Sequence, residues 1–368
     1  MRPSVAAWRL GAALWVCASL VRAQEACASD ALRLNQLQFL GTHNSYHRAP
    51  RSPLVRMIPE ARRAWSYEHA PLAVQLEELG VRQFELDLWV DTEGGRFARP
   101  AARGGDEGEA IDQLEAPGIK VLHVPDVDFE TTCGTLRGCL EEIAGWSRAH
   151  PRHLPVMVLL ELKAGRHSGP LGLTTTEPEP WDASALDAMD AEIRSVFEER
   201  ELITPDQVRG EHATLEEAVL SAAWPRLDAA RGRVMFCMDN AGALRALYRR
   251  ERPSLEGRVL FTNAEPGSAD AAFVKCNDPL GQGERIRELV RAGYVVRTRA
   301  DAGGEEARAN DGRRRAEALA SGAHWVSTDY PRPDPQLDGG YAVRIPGGGV
   351  ARGNPLSAPQ NCRVPIAD

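Results

Sequence analysis

The sequence predicts an α/β fold, a single (β/α)8 TIM-barrel-like domain. Three observations predict it. Short β-rich runs alternate with helix-patterned segments over most of the 368 residues, as strand–helix units around a parallel sheet do. The strand-like runs number eight, the count that closes such a barrel. Gly80, Gly293 and Gly322 fall where helices should end, just before the next strand. A doubly wound open sheet shows the same alternation, and periodicity alone does not separate the two.

The strands are expected at Gln36–Gly41, Arg82–Val90, Lys120–Val124, Val156–Leu162, Arg233–Met238, Arg258–Thr262, Tyr294–Thr298 and Trp325–Thr328. Apolar residues at helical spacing place helices at Leu72–Leu79, Leu136–Arg148, Ala183–Arg200, His212–Ala222, Ala241–Arg249, Glu284–Ala292 and Gly312–Ala320. Between Asp91 and Gly118 the chain is glycine-rich and charged, so the second crossover reads as a surface loop. The Pro- and Gly-rich segment 332–368 is expected to pack as a tail on a barrel spanning 24–331.

Residues 1–23 read as a signal peptide. Arg2 and Arg9 precede an apolar run from Leu10 to Leu20, and Val21-Arg22-Ala23 offers small residues for cleavage. That run is shorter than the ~20 residues a spanning helix needs, so the expected destination is the periplasm or the medium. The whole chain carries a net charge of −8, and the expected leader holds three arginines and no acid. The mature balance is therefore more acidic still, which argues against a nucleic-acid partner and against adsorption to anionic membranes by bulk charge. Cleavage would leave Cys27, Cys133, Cys139, Cys237, Cys276 and Cys362. An even count in an exported chain suggests disulfides, with Cys133–Cys139 closing a local loop and Cys27–Cys362 tying the termini as the expected pairs. No C-x-x-C pair supports zinc.

The chemistry concentrates at strand ends. In Phe84-Glu85-Leu86-Asp87-Leu88, alternation sends Glu85 and Asp87 to one face. A solvated sheet face would explain them, but a parallel α/β sheet is covered on both faces. Inward carboxylates then need a cation or a set of donors. Glu161 ends the run Val156–Leu160 on the same face as Lys163. With Asn44 these oxygens suit Ca²⁺, which accepts six to eight oxygen ligands; Mg²⁺ is less suited to several carboxylates in one cage. A salt bridge between Glu161 and Lys163 is the plainer alternative. His43 and His123 end two further expected strands, and two imidazoles at one end of a sheet suit general acid–base chemistry. Arg297, Arg299 and Asp301 alternate onto one face. Asp239, Asn263 and Asp329 sit at other strand ends, and His47, His69 and His324 read as surface or structural.

Together, Gly41-Thr42-His43-Asn44-Ser45-Tyr46, Phe84-Glu85-Leu86-Asp87, Leu122-His123, Leu160-Glu161-Leu162-Lys163 and Ser327-Thr328-Asp329-Tyr330-Pro331 resemble the calcium-dependent phosphoinositide phospholipase C family. The resemblance runs from about Gln36 to Pro331. It implies a barrel phosphodiesterase, expected here as a monomer, cleaving phosphatidylinositol or a related phosphodiester, with Asn44, Glu85, Asp87 and Glu161 as Ca²⁺ ligands. It further implies that His43 contacts the phosphate, that His123 protonates the leaving diacylglycerol oxygen, and that the inositol 2-hydroxyl attacks to give a cyclic phosphate. Glu85 or Glu161 would take the hydroxyl proton. Lys163 and Arg299 are candidate substrate-binding residues, each with a structural ion pair as its alternative. No flanking lipid-targeting segment is legible, so transient membrane contact is expected of the rim, with Trp65, Trp89 and the loop after Asp91 as candidates. A glycerophosphodiesterase is the nearest rival, although that group follows its first histidine with Arg-Gly rather than Asn44-Ser45. A silent calcium- or lipid-binding barrel is the other rival, and it would need no proton donor.

Overall fold

The computed structural model describes residues 27–104, 108–166 and 175–368. The expected signal peptide lies outside the described residues. Among these, twelve strands form one sheet: β1 Leu37–Thr42, β2 Gln83–Trp89, β3 Lys120–Val121, β4 Val156–Leu162, β5 Leu202–Ile203, β6 Val234–Met238, β7 Leu260–Thr262, β8 Phe273–Lys275, β9 Val295–Arg299, β10 Trp325–Thr328, β11 Ala351–Gly353 and β12 Pro365–Ile366. Parallel pairing runs from β1 through β2, β4 and β6 to β7, and from β1 through β10 and β9 to β8. The two arms meet at the parallel bridge Asn263↔Phe273. An eight-stranded parallel TIM-type barrel results, as its pattern predicts.

One expected barrel strand is not in the ring. Lys120–Val124 forms only the short β3, antiparallel to the end of β2 with Leu88 opposite Val121. A parallel strand needs a crossover, usually a helix, and the connection from Trp89 to Lys120 supplies only the short turns Ala101–Arg103 and Asp112–Glu115 among its described residues. The chain therefore folds back on itself. The eighth place belongs to β8, three residues long and too short to show a period.

β1 and β2 are buried on both faces, and β4 is fully buried apart from Glu161. That accounts for its near-continuous apolar run. Helices Leu72–Leu79 and Pro279–Ala292 end at Gly80 and Gly293 in the left-handed region, with φ of 65° and 108°. Thr135 and Asp182 cap the helices Leu136–Ala149 and Ala183–Val196 through side-chain oxygens. The segment after Pro331 returns to the barrel, where β11 pairs antiparallel with β1 and β12 with β11. Disulfides join Cys27 to Cys362 and Cys133 to Cys139, as the spacing suggested. Cys237 and Cys276 are free and buried.

Candidate active site

The C-terminal mouth of the barrel gathers the expected residues. Asp87 on β2 lies opposite Glu161 on β4 in the parallel register, and Glu85 shares their face by alternation. Carboxylate oxygens of the three lie within 4.8 Å of one another. Burial is the main cause lifting Glu85 and Asp87 to about 7, opposed by Arg297 at the first and Lys163 at the second. Glu161 is also pushed up by burial, but Lys163 outweighs this and holds it below its ordinary value.

Cations interleave with these acids. Lys163 Nζ lies 3.0 Å from Asp87 Oδ2 and 2.9 Å from Glu161 Oε1. Arg297 pairs with Glu85 and donates to Asn277 Oδ1 at 2.6 Å. Across the mouth Lys275 pairs with Asp239, and Asn263 donates to the Asp239 carbonyl at 3.1 Å.

The β1 end is shaped for close approach. A Cβ on Gly41 would fall 2.8 Å from Gln83 Cβ on the neighbouring strand, so glycine suits the close approach of β1 and β2 there. Asn44 takes a φ of 43°, a left-handed conformation that asparagine tolerates better than most residues. Its Nδ2 donates to the Tyr67 hydroxyl at 3.1 Å. Its Oδ1 is buried without a donor, whereas the buried Asp87 carboxylate has Lys163 against it. Orphaned buried oxygens are costly. Three carboxylates and an amide oxygen, the last without a donor, fit a hard, oxygen-seeking cation such as Ca²⁺.

Both histidines sit on buried aspartates. His43 Nδ1 is 2.7 Å from Asp329 Oδ1, and Arg299 donates to Asp329 Oδ2 at 2.9 Å. Burial and the Arg299 charge hold His43 well below the ordinary imidazole value, despite Asp329. Behind it, Asp301 accepts the Asp329 amide at 2.8 Å, so it braces the aspartate rather than facing the mouth. His123 Nδ1 is 2.6 Å from Asp128 Oδ2. A carboxylate only accepts, so each Nδ1 carries the proton and each Nε2 is left for the mouth. The two imidazoles are 19% and 20% exposed while their aspartates are buried, which is how a reactive group and its support should differ.

Lys163 and Arg299 are thus held by carboxylates at the mouth's edge. Trp65 meets His123 edge-on at 5.6 Å between ring centroids. Trp89, expected as a rim candidate, is instead fully buried and donates to the Leu122 carbonyl at 2.8 Å. His69 and His324, expected to be surface or structural, are both buried. Asp128 and Tyr67 were not anticipated. Asp128 lies in the loop that carries the chain back from β3, where no period marks a residue. Its signal was proximity in sequence to His123.

A sequence profile described as "Phosphoinositide phospholipase C, Ca2+-dependent" matches residues 32–355. No match is found among curated proteins. Among solved structures, a calcium-dependent phosphoinositol-specific phospholipase C from Pseudomonas sp., a Gram-negative bacterium, aligns with a TM-score of 0.52 at 16% identity, covering 82% of this chain and 92% of that one. A second crystal form gives 0.53 at 16% identity, covering 89% and 96%. A Ca²⁺-dependent phosphatidylinositol-specific phospholipase C from Streptomyces antibioticus gives 0.50 at 19% identity, covering 82% and 96%. These likenesses match the fold, and the profile spans most of the sequence: the chain belongs to the Ca²⁺-dependent phosphoinositide phospholipase C family, whose members are phosphodiesterases.

Proposed function

We propose that the protein is an exported phosphatidylinositol-specific phospholipase C that breaks the glycerol-side phosphodiester bond. The observation that carries this is the placing of two histidine–aspartate pairs around one carboxylate cluster at a single barrel mouth. Asn44, Glu85, Asp87 and Glu161 would hold Ca²⁺, with Lys163 and Arg299 at the substrate's edge. Bound there, the ion would lower the proton affinity of an attacking hydroxyl and offset phosphate charge.

The side chains divide the remaining work. The inositol 2-hydroxyl attacks phosphorus and gives its proton to Glu85 or Glu161. His43 Nε2 meets a phosphate oxygen. The bond from phosphorus to the glycerol oxygen breaks, and His123, entering the step as the imidazolium with Nδ1–H on Asp128, gives its Nε2 proton to that oxygen and is left neutral. Diacylglycerol and a cyclic inositol phosphate result, and water can later open the ring.

Transient membrane contact fits the mouth's rim. The short helices Pro53–Arg56 and Pro59–Ala64 flank Met57, which is 79% exposed. A groove of about 570 Å³ lined by Arg56, Ala61, Arg62 and Trp65 leads from them, and Trp65 touches His123. Basic side chains beside exposed apolar surface suit a lipid interface on a chain that is acidic as a whole. Monomeric action is the simplest state for such docking.

Phosphorus NMR of phosphatidylinositol incubated with the purified protein and Ca²⁺ tests the reading. A cyclic inositol phosphate should appear, vanish with EDTA and return with excess Ca²⁺. Full activity in chelator removes the calcium assignment, and faster turnover of glycerophosphocholine makes the protein a glycerophosphodiesterase instead.

A further inference from the structure

His47 reads from sequence as a structural or surface histidine, yet it occupies a connected position. Its ring is fully buried and stacks on Tyr67 with centroids 4.4 Å apart. Nδ1 lies 3.1 Å from the Tyr67 carbonyl oxygen, and Nε2 lies 3.0 Å from each oxygen of Asp128. Every partner is an acceptor, so both nitrogens act as donors. Asp128 is therefore shared: Oδ2 receives His123 Nδ1 as well, at 2.6 Å.

The backbone shows why the two loops meet here. His47 N–H donates to the Asn44 carbonyl at 2.8 Å, Arg48 N–H to the Glu130 carbonyl at 3.1 Å and Thr132 N–H to the Tyr46 carbonyl at 2.8 Å. His47 and Thr131 form an antiparallel bridge. One short segment after β1 thus carries His43 and Asn44 at its start, and at its end the ring that holds Asp128. His47, His123 and Asp128 have ligating atoms within 4.8 Å of one another, but those atoms face each other at hydrogen-bond distance, which is not how ligands around one ion sit.

We propose that His47 is a positioning residue for the leaving-group step: it fixes the Asp128 carboxylate, which in turn fixes His123 with Nδ1 protonated and Nε2 turned to the mouth. This rests on the reading of His123 as the general acid. Without the imidazole, Asp128 has one donor where it now has two, and it is free to turn about its side-chain bonds. Burial alone would raise Asp128, but His47 and His123 outweigh it and keep the carboxyl below its ordinary value, in keeping with a carboxylate that only accepts. A ring serving merely as packing would be replaced by phenylalanine at little catalytic cost. A ring serving as a donor would not.

The test compares His47→Phe, His47→Gln and His123→Ala on two substrates: phosphatidylinositol, whose leaving group is an alkoxide, and an inositol phosphodiester of an activated phenol, which departs without a proton. In His47→Phe, kcat on phosphatidylinositol should fall about tenfold to a hundredfold, the range for losing the support of a working histidine. The phenol ester, KM and the Ca²⁺ concentration for half-activity should stay near wild type. His47→Gln keeps an N–H donor and should recover much of the alkoxide rate. Equal losses on both substrates in His47→Phe, or no rescue by glutamine, overturn the proposal. If His47→Phe does not fold, His47→Leu, which also removes the donor, takes its place in the same comparison against His47→Gln, and equal rates of these two variants on phosphatidylinositol overturn the idea. His123→Ala separates this from the underlying reading. If it fails to discriminate between the substrates, the general-acid assignment is wrong; if it discriminates and His47→Phe does not, only the positioning role is lost.

Discussion

The two histidine pairs of the barrel mouth look alike and are supported differently. His43 leans on Asp329, whose second oxygen is held by Arg299. His123 leans on Asp128, which is held by His47. Each aspartate is buried and shared between an imidazole at the mouth and a second donor. The guanidinium stays charged at any pH a protein meets, whereas an imidazole can give up its proton. The first support is a fixed charge beside His43, the proposed phosphate contact. The second is an imidazole and sits behind His123, the proposed general acid. The contrast teaches that two imidazoles on one rim need not be doing one job.

The sharpest way to break the comparison is to remove each imidazole. His123→Ala should lose about 10²- to 10⁴-fold on phosphatidylinositol, the usual worth of a general acid, and far less on an activated phenol ester. His43→Ala should lose activity on both, because phosphate contact does not depend on the leaving group. Steady-state rates on the two substrates read this directly. If the two variants show the same pattern, the division of roles fails.

The aspartates sharpen it next. Asp329→Asn leaves the buried Arg299 charge without its partner, a loss that in buried pairs costs about 3–5 kcal/mol. Asp128→Asn strands no guanidinium and keeps one acceptor oxygen for the imidazoles, so its cost should be clearly smaller. Urea unfolding at neutral pH measures both. Equal destabilisation would mean that the nature of the second donor is immaterial.

Legibility in the sequence follows the same divide. The first pair was within reach because both members follow regular strands: His43 comes after β1 and Asp329 after β10. The carboxylate cluster was readable for a similar reason, since alternation puts Glu85 and Asp87 on one face and the parallel register sets Asp87 against Glu161. The second pair was half hidden. His123 was found, but the strand assigned to it turned out to be the short antiparallel return β3. Asp128 and His47 are brought together by bridges between irregular segments, and no period in a single sequence encodes such a meeting. The barrel strand β8 escaped for want of length. Its residues Phe273–Lys275 give too few alternations to distinguish a strand from a loop.

Buried histidines outside the mouth supply the control for both pairs, because their effect should appear in stability and not in chemistry. His324 accepts the Val296 N–H at Nδ1, 3.0 Å away, and donates from Nε2 to the Asn35 carbonyl at 2.9 Å. It is therefore neutral in the fold, and burial lowers its pKa to about 4. In the unfolded chain an ordinary histidine titrates near ~6.5. Between those values the unfolded state binds more protons, so stability rises with pH. The contribution is fully present above about 6.5 and is lost as the pH falls toward 4. At its limit it amounts to roughly 3 kcal/mol, because each pH step of one between the two values is worth ~1.4 kcal/mol. His324→Gln can keep one acceptor and one donor without a titrating ring. It should flatten the stability profile across that window by up to that amount and leave the ratio of alkoxide to phenol turnover at neutral pH unchanged. His153, likewise lowered to about 4 mainly by burial, would still contribute a slope of the same sign. A His324→Gln profile as steep as wild type would show that the acid sensitivity arises elsewhere. A changed substrate ratio would show that the barrel transmits strain to the mouth, and that the two histidine pairs cannot be compared as local devices.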